Sequence, residues 1–202
     1  MRRAITLLAV ALIAMIGSAA PAYTAPEEPR AIVQRLNDAL LYVMQNAAQL
    51  QFQGRYDYLE PILDETFSFA EMARISTGQY WPRLSPERQT ELVARFRQMS
   101  ITTFAARFDG YSGERFETLG TEDTVRGGVL VLSRIVKGSG ETVPLNYVFT
   151  QIEGNWRAID VYLEGTVSEL AIYRSEFVSV LNREGYEGLI RRIDEKIARL
   201  KG

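Results

Sequence analysis

The strongest constraint on the fold is that the residue pattern changes twice along the chain, from helical to strand-like and back to helical. Through residue 109 apolar residues recur at steps of three and four, the spacing of one helix face. Residues 114–163 instead form short runs rich in β-branched and aromatic residues, separated by glycines. Helical spacing returns from residue 168. Helices, then an antiparallel sheet, then helices predict an α+β domain, with helices over residues 27–109, a sheet over 114–163 and helices over 168–201.

The first helical region begins with a long apolar repeat. Its spacing predicts one helix from Pro26 to about Gln53, ended by Gly54. A second, short helix is expected over residues 56–65, where Pro61 limits or kinks it.

The clearest helix start lies at Ser85, Pro86 and Glu87. A serine cap, a proline at the first helical position and an acid in the first turn all favour a helix N-terminus. This helix is predicted to end at Gly110, and the segment 78–82 breaks a shorter helical run before it.

Four strands are predicted, over residues 114–119, 125–137, 142–152 and 155–163. Turns at 137–140 and 153–155 make the last three an antiparallel meander. Gly127 and Gly128 fall inside the second strand, where they indicate a bulge or a close backbone approach. The third strand is apolar on one face, and a helix capped by Ser168 and ending near Gly185 is expected to help cover it.

Residues 1–22 have the pattern of a cleaved export signal. Two arginines precede an apolar run over residues 4–16, and small residues before the expected cut after Ala22 suit a signal peptidase. The run is shorter than the roughly 20 residues of a spanning helix, which disfavours the alternative of a retained anchor. We therefore expect the protein to be exported and residues 23–202 to form one domain.

Composition excludes several kinds of chemistry. The chain has no His and no Cys, which removes Ser-His and Cys-His nucleophiles, His- or Cys-bound zinc, haem and iron–sulfur ligation, and disulfides. The net charge of −2 argues against a nucleic-acid binder and a polybasic membrane anchor. No acid spacing suggests a catalytic pair, so we expect no enzyme activity, no cofactor and no metal.

Binding by shape and apolar surface remains. The candidate cavity residues lie on one sheet face and on the helices expected to cover it: Val129, Val131, Leu145, Tyr147, Phe149, Phe96, Met99, Phe104, Phe177 and Leu181. A periodic apolar face is also what a closed core produces, so the residues alone leave both interpretations open. Tyr80, Trp81 and Arg107 are candidates for a cavity rim, and Arg74 and Arg134 for contacts with a phosphate or an acid. Asp160, between two apolar residues, is predicted to bond nearby backbone.

The chain resembles the MlaC family, also called the toluene-tolerance auxiliary family. The resemblance rests on Met72-Ala73-Arg74, Tyr80-Trp81, Ser85-Pro86-Glu87-Arg88 and Arg107-Phe108, and downstream on Asn155-Trp156-Arg157-Ala158-Ile159-Asp160-Val161. The downstream stretch, with residues 168–177, is most similar to the hopanoid-associated HpnM branch.

The resemblance implies a curved, cystatin-like or NTF2-like sheet wrapped by helices around an apolar cavity. It also implies a periplasmic carrier that holds a phospholipid or hopanoid and contacts membranes only transiently. Implied partners are an inner-membrane transporter of the MCE/ABC or RND type and an outer-membrane complex. A cargo-free adaptor and a lipid or glycan hydrolase are the alternatives.

Overall fold

The computed structural model describes residues 27–201, and within this range the chain has the predicted α+β architecture. The signal peptide expected over residues 1–22 lies outside the described range. The helices are α1 (Pro29–Gln45), α2 (Ala47–Thr66), α3 (Phe69–Thr77), a 3-10 helix (Gly78–Arg83), α4 (Pro86–Arg107) and α5 (Glu169–Lys201). The strands are β1 (Arg115–Asp123), β2 (Val129–Val136), β3 (Thr142–Ile152), β4 (Asn155–Leu163) and β5 (Val167–Ser168).

The sheet is an antiparallel meander in the order β1-β2-β3-β4-β5, curved and unclosed. The prediction of four strands was one too few, because a two-residue β5 pairs with Tyr162 and Leu163 of β4. Register shifts interrupt the β1–β2 pairing near Leu119 and the β3–β4 pairing after Val148. Such bulges bend a sheet, which suits one that wraps around helices.

The first hairpin differs from the prediction. β1 continues to Asp123 and β2 starts only at Val129, so Gly127 and Gly128 lie in the turn and not inside a strand. Gly127 adopts φ 74°, a conformation that glycine takes without strain. A Cβ on Gly128 would collide with the carbonyl oxygen of Phe149, so the predicted close backbone approach is confirmed.

The single helix predicted over residues 26–53 was wrong. α1 stops at Gln45 because Asn46 leaves the helical conformation, with φ −108° and ψ 17°, and its side-chain amide donates to the Tyr42 carbonyl at 2.8 Å. α2 then contains a second break, at Gln51. Gly54, which was predicted to end the first helix, lies inside α2. Pro61 is also accommodated inside α2.

The predicted caps are confirmed. The Ser85 hydroxyl accepts from the N–H of Arg88, and the Ser168 hydroxyl accepts from the N–H of Ala171 at 2.9 Å. α4 ends at Arg107, three residues before Gly110, and α5 changes direction at Gly185.

The core lies between the helices and one face of the sheet. Its centre is aromatic: the Phe96 ring of α4 meets the rings of Tyr173 and Phe177 of α5 edge-on, at 5.5 and 6.1 Å. Within residues 27–201, no helix is both long and apolar enough to cross a bilayer.

Candidate binding cavity

A cavity of about 370 Å³ lies between α3, α4, the start of α5 and strands β2, β3 and β4. Most of the side chains that line it are apolar. They are Phe67, Phe69, Met72, Ser100, Thr103, Phe104, Arg107, Phe108, Ile135, Val143, Leu145, Val161, Leu163, Glu164, Glu169 and Tyr173. Its size falls in the range of small-molecule sites.

One wall is a row of aromatic rings supplied by two separate segments. Phe67 and Phe69, from the connection between α2 and α3, have ring centroids 5.9 Å apart. Phe104 of α4 lies 5.7 Å from Phe67 and 5.9 Å from Phe108. Because Phe67 also forms a bridge to Ala158 of β4, the sheet fixes the position of this row.

The opposite wall is built by cross-strand pairs on one face of the sheet. Ile135 of β2 pairs with Val143 of β3, and Leu145 of β3 pairs with Leu163 of β4. All four side chains line the cavity. β-Branched and aliphatic pairs of this kind give a smooth apolar surface.

Two hydroxyl groups in the lining, those of Ser100 and Thr103, are internally satisfied. Ser100 donates to the Phe96 carbonyl and Thr103 to the Met99 carbonyl, each at 2.8 Å. These two residues therefore add little polarity to the α4 wall. Burial of Tyr173, at the α5 side, raises the pKa of its phenol to about 12, so it stays neutral.

The charged side chains of the lining are Arg107, Glu164 and Glu169. Arg107 ends α4, and its Nη1 lies 3.5 Å from the Glu169 carboxylate at the start of α5. The Glu169 side chain is only 15% exposed, whereas Arg107 is 52% exposed. Glu164 lies in the turn between β4 and β5.

Three of the sequence-predicted residues line the cavity: Phe104, Leu145 and Arg107. The other candidates do not. Phe96, Met99, Val131, Tyr147 and Phe149 are fully buried, Phe177 and Leu181 are nearly so, and Val129 packs at the edge of the core. Side-chain periodicity identified the correct sheet face but not the part of that face from which the helices stand away.

Most of the lining residues that sequence reasoning missed lie within regular helices and strands, and only a few come from irregular positions. Phe67 and Phe69 flank the short connection between α2 and α3, and Glu164 occupies a turn. The sequence Phe67-Ser68-Phe69 could have indicated part of the lining, because two aromatic side chains around a serine cap need an apolar surface to pack against. Val143 was also readable, since it shares the apolar face of β3 with Leu145.

The predicted rim aromatics lie elsewhere. Tyr80 and Trp81 belong to the 3-10 helix, which packs against α5, and the Tyr80 hydroxyl contacts the side chain of Asn182. Arg74 is paired with Glu71 and Arg134 with Glu117, each within helix or sheet. Asp160 accepts hydrogen bonds from the backbone of Val161 and Leu170, as its sequence context predicted. In the described part of the chain, no group of three or more acidic side chains is arranged to hold a metal ion.

The fold and the cavity together define an α+β binding protein whose helices and antiparallel sheet enclose an apolar site. The chain belongs to the MlaC protein family, whose model matches residues 34–195. Its fold is similar to that of a phospholipid-binding protein from Ralstonia solanacearum solved in complex with a phospholipid, with a TM-score of 0.75 and 21% sequence identity. That match covers 87% of this chain and all of the other. No curated protein sequence matches the chain.

Proposed function

We propose that the protein is a periplasmic lipid carrier that holds the acyl part of a phospholipid in the cavity and passes it between membrane-bound partners. The apolar cavity between helices and sheet carries the proposal, because its charges are confined to three of its lining residues. Membership of the MlaC family and the phospholipid in the Ralstonia solanacearum protein of like fold support it.

The energetics favour partition into an apolar site. A carrier has to replace about 0.8 kcal/mol for each methylene group that leaves a bilayer, or roughly 13 kcal/mol for a 16-carbon chain. The cavity of about 370 Å³ lies within the size range of small-molecule binding sites, and its mostly apolar lining supplies the replacement contacts.

Cargo and partners extend the same proposal. A hopanoid is the alternative cargo, as the similarity to the HpnM branch implies, and it would go with an RND-type transporter in place of an MCE/ABC system and an outer-membrane complex. Export by residues 1–22 would deliver the protein to the periplasm. A cargo-free adaptor would need no cavity, and the presence of one favours the carrier.

A hydrolase is the weaker proposal. Glu164 and Glu169 both line the cavity, so two acids are available there. Glu169 is already paired with Arg107, however, and the surrounding wall is apolar and offers a sugar few hydrogen bonds. We therefore infer binding without turnover.

The test fills the cavity without disturbing the core. Val143→Trp places an indole in the lining, and we expect it to lower lipid occupancy by at least half because the acyl chain and the indole compete for the same volume. Val125→Trp, at a fully exposed position in the β1–β2 turn, is the matched control and should leave occupancy unchanged. Occupancy is read by native mass spectrometry after incubation with phospholipid vesicles, and folding by far-UV circular dichroism. Equal occupancy in a folded Val143→Trp protein would refute the cavity as the site.

A further inference from the structure

The charged residues of the cavity lining carry both signs. We propose that they select a lipid headgroup that contains both a phosphate and a primary ammonium group, with Arg107 binding the phosphate and Glu164 the ammonium. This inference rests on the proposed carrier function and concerns the choice among phospholipids.

Arg107 is suited to the phosphate. It lies in the last turn of α4, and the neighbouring Glu169 contacts it through one terminal nitrogen, Nη1, at 3.5 Å. Among residues 27–201, no hydrogen bond occupies the guanidinium, so its planar donors remain available. A guanidinium with two parallel N–H groups binds a phosphate in a bidentate manner. Because Glu169 is mostly buried, it holds Arg107 at the cavity while the outer donors face solvent.

Glu164 is suited to the ammonium. It is the first residue of the three-residue connection between β4 and β5, with φ 52° at Glu164 and 78° at Gly165, next to Leu163 of the lining. It forms no ion pair with any residue of the described chain, whereas Glu169 is engaged with Arg107. Glu164 is therefore the carboxylate of the lining that can take a cation from the ligand.

Charged groups of both signs also surround Lys196, which packs on Tyr173 of the lining. Lys196 lies with its Nζ 4.6 Å from the Tyr173 ring centroid, and it is close enough to Glu176, Glu169, Arg107 and Arg199 to feel their charges. Burial lowers the pKa of Lys196, and the two glutamates oppose that shift. Arg107 can take the phosphate of either kind of headgroup, but only a headgroup that carries an ammonium supplies a cation to Glu164.

The experiment is a competition between two lipids that differ only in the headgroup. The protein is incubated with vesicles of phosphatidylethanolamine and phosphatidylglycerol in equal amounts and with identical acyl chains, and the bound ratio is measured by native mass spectrometry. We expect phosphatidylethanolamine to be favoured about two- to five-fold, the size expected for one exposed charge contact. Glu164→Lys should bring the ratio to one or below.

Glu153→Lys is the matched control, because Glu153 is also the first residue of a hairpin turn with a similar backbone, φ 51° followed by Gly154 at 79°, but lies outside the cavity. It should keep the wild-type ratio. Arg107→Gln should lower the loading of both lipids without changing their ratio, since both carry the phosphate. A ratio of one in both wild type and Glu164→Lys, at normal total occupancy, would overturn the headgroup selection and leave the carrier function standing. No bound lipid in the wild type would contradict both.

Discussion

At the scale of single residues, Asp160 joins the fourth strand to the last helix. Its Oδ1 accepts from the N–H groups of Val161 and Leu170, at 2.8 and 3.0 Å, and its Oδ2 accepts from the Ser168 hydroxyl at 2.6 Å. Ser168 in turn accepts from the N–H of Ala171. One carboxylate thus fixes the cap of α5, which presents Glu169 and Tyr173 to the cavity.

Removing this carboxylate should cost stability. We expect Asp160→Ala to lower the free energy of unfolding by about 2–4 kcal/mol, because buried N–H groups lose their acceptor. Asp160→Asn keeps one acceptor oxygen and should lose less. Urea denaturation followed by circular dichroism measures both. A loss below about 0.5 kcal/mol for Asp160→Ala would show that water replaces the carboxylate, contrary to this account.

The same residue gives a pH dependence of defined sign. Burial raises the pKa of Asp160 above its usual 3.8, and the hydrogen bonds from Ser168, Leu170 and Val161 offset the effect only in part. The folded state therefore binds the proton more tightly than the unfolded state, and the contribution of this group to stability falls as the pH rises from 3.8 through the folded-state pKa. Over that pH range, the free energy of unfolding of the wild type should therefore decrease relative to that of Asp160→Asn. A difference that favours the wild type with rising pH would contradict the raised pKa.

At the scale of elements, α2 and α5 are each interrupted at one residue, and the two residues have nearly the same backbone conformation. Gln51 in α2 has φ 54° and ψ −170°, and Gly185 in α5 has φ 68° and ψ −169°. This region is nearly restricted to glycine, so Gln51 is strained where Gly185 is not.

Opposite substitutions should therefore have opposite effects. We expect Gln51→Gly to raise the free energy of unfolding by about 1 kcal/mol through relief of strain, and Gly185→Ala to lower it by about 1–3 kcal/mol. Gly110→Ala is the control for the second change, because both sites have open space around the added Cβ but only Gly185 has positive φ. Thermal or urea unfolding distinguishes the three variants. Equal effects of Gly185→Ala and Gly110→Ala would mean that the backbone conformation does not matter.

This pair of breaks also shows what the sequence could and could not predict. The break at Gly185, the caps at Ser85 and Ser168 and the meander after Lys137 follow from local residue chemistry, so they were readable. The break at Gln51 and the turn at Asn46 were not, because no glycine or proline marks them and the apolar spacing continues across them. The closure of the first hairpin at Gly127 was missed because Val125 and Arg126 do not interrupt a strand pattern.

The sequence predicted an apolar binding site against the sheet, but it identified only some of the residues that line the cavity. The apolar face of β3 could be read from alternation, yet Tyr147 and Phe149 at one end are closed core while Val143 and Leu145 at the other end line the cavity. The difference depends on where α3, α4 and α5 cross the sheet. That is a property of the packed molecule and leaves no trace in the local pattern.

At the scale of the whole molecule, the helices pack against one face of the sheet and leave an apolar cavity between the two layers. If lipid enters and leaves by partition, transfer between donor and acceptor vesicles should proceed without nucleotide and in the presence of a metal chelator. A fluorescent phospholipid reports the rate. The control is Val143→Trp, which should transfer less because it loads less. A strict requirement for a metal ion or a nucleotide would contradict partition as the mechanism.

The central claim is that the mature protein carries lipid in this cavity, and native mass spectrometry of protein taken from the periplasm without detergent tests it most directly. The account predicts a co-purified lipid of defined mass, released by organic extraction, whose class separates phospholipid from hopanoid. A protein with no bound lipid, both as isolated and after incubation with vesicles of each lipid type, would contradict the account and favour an adaptor without cargo.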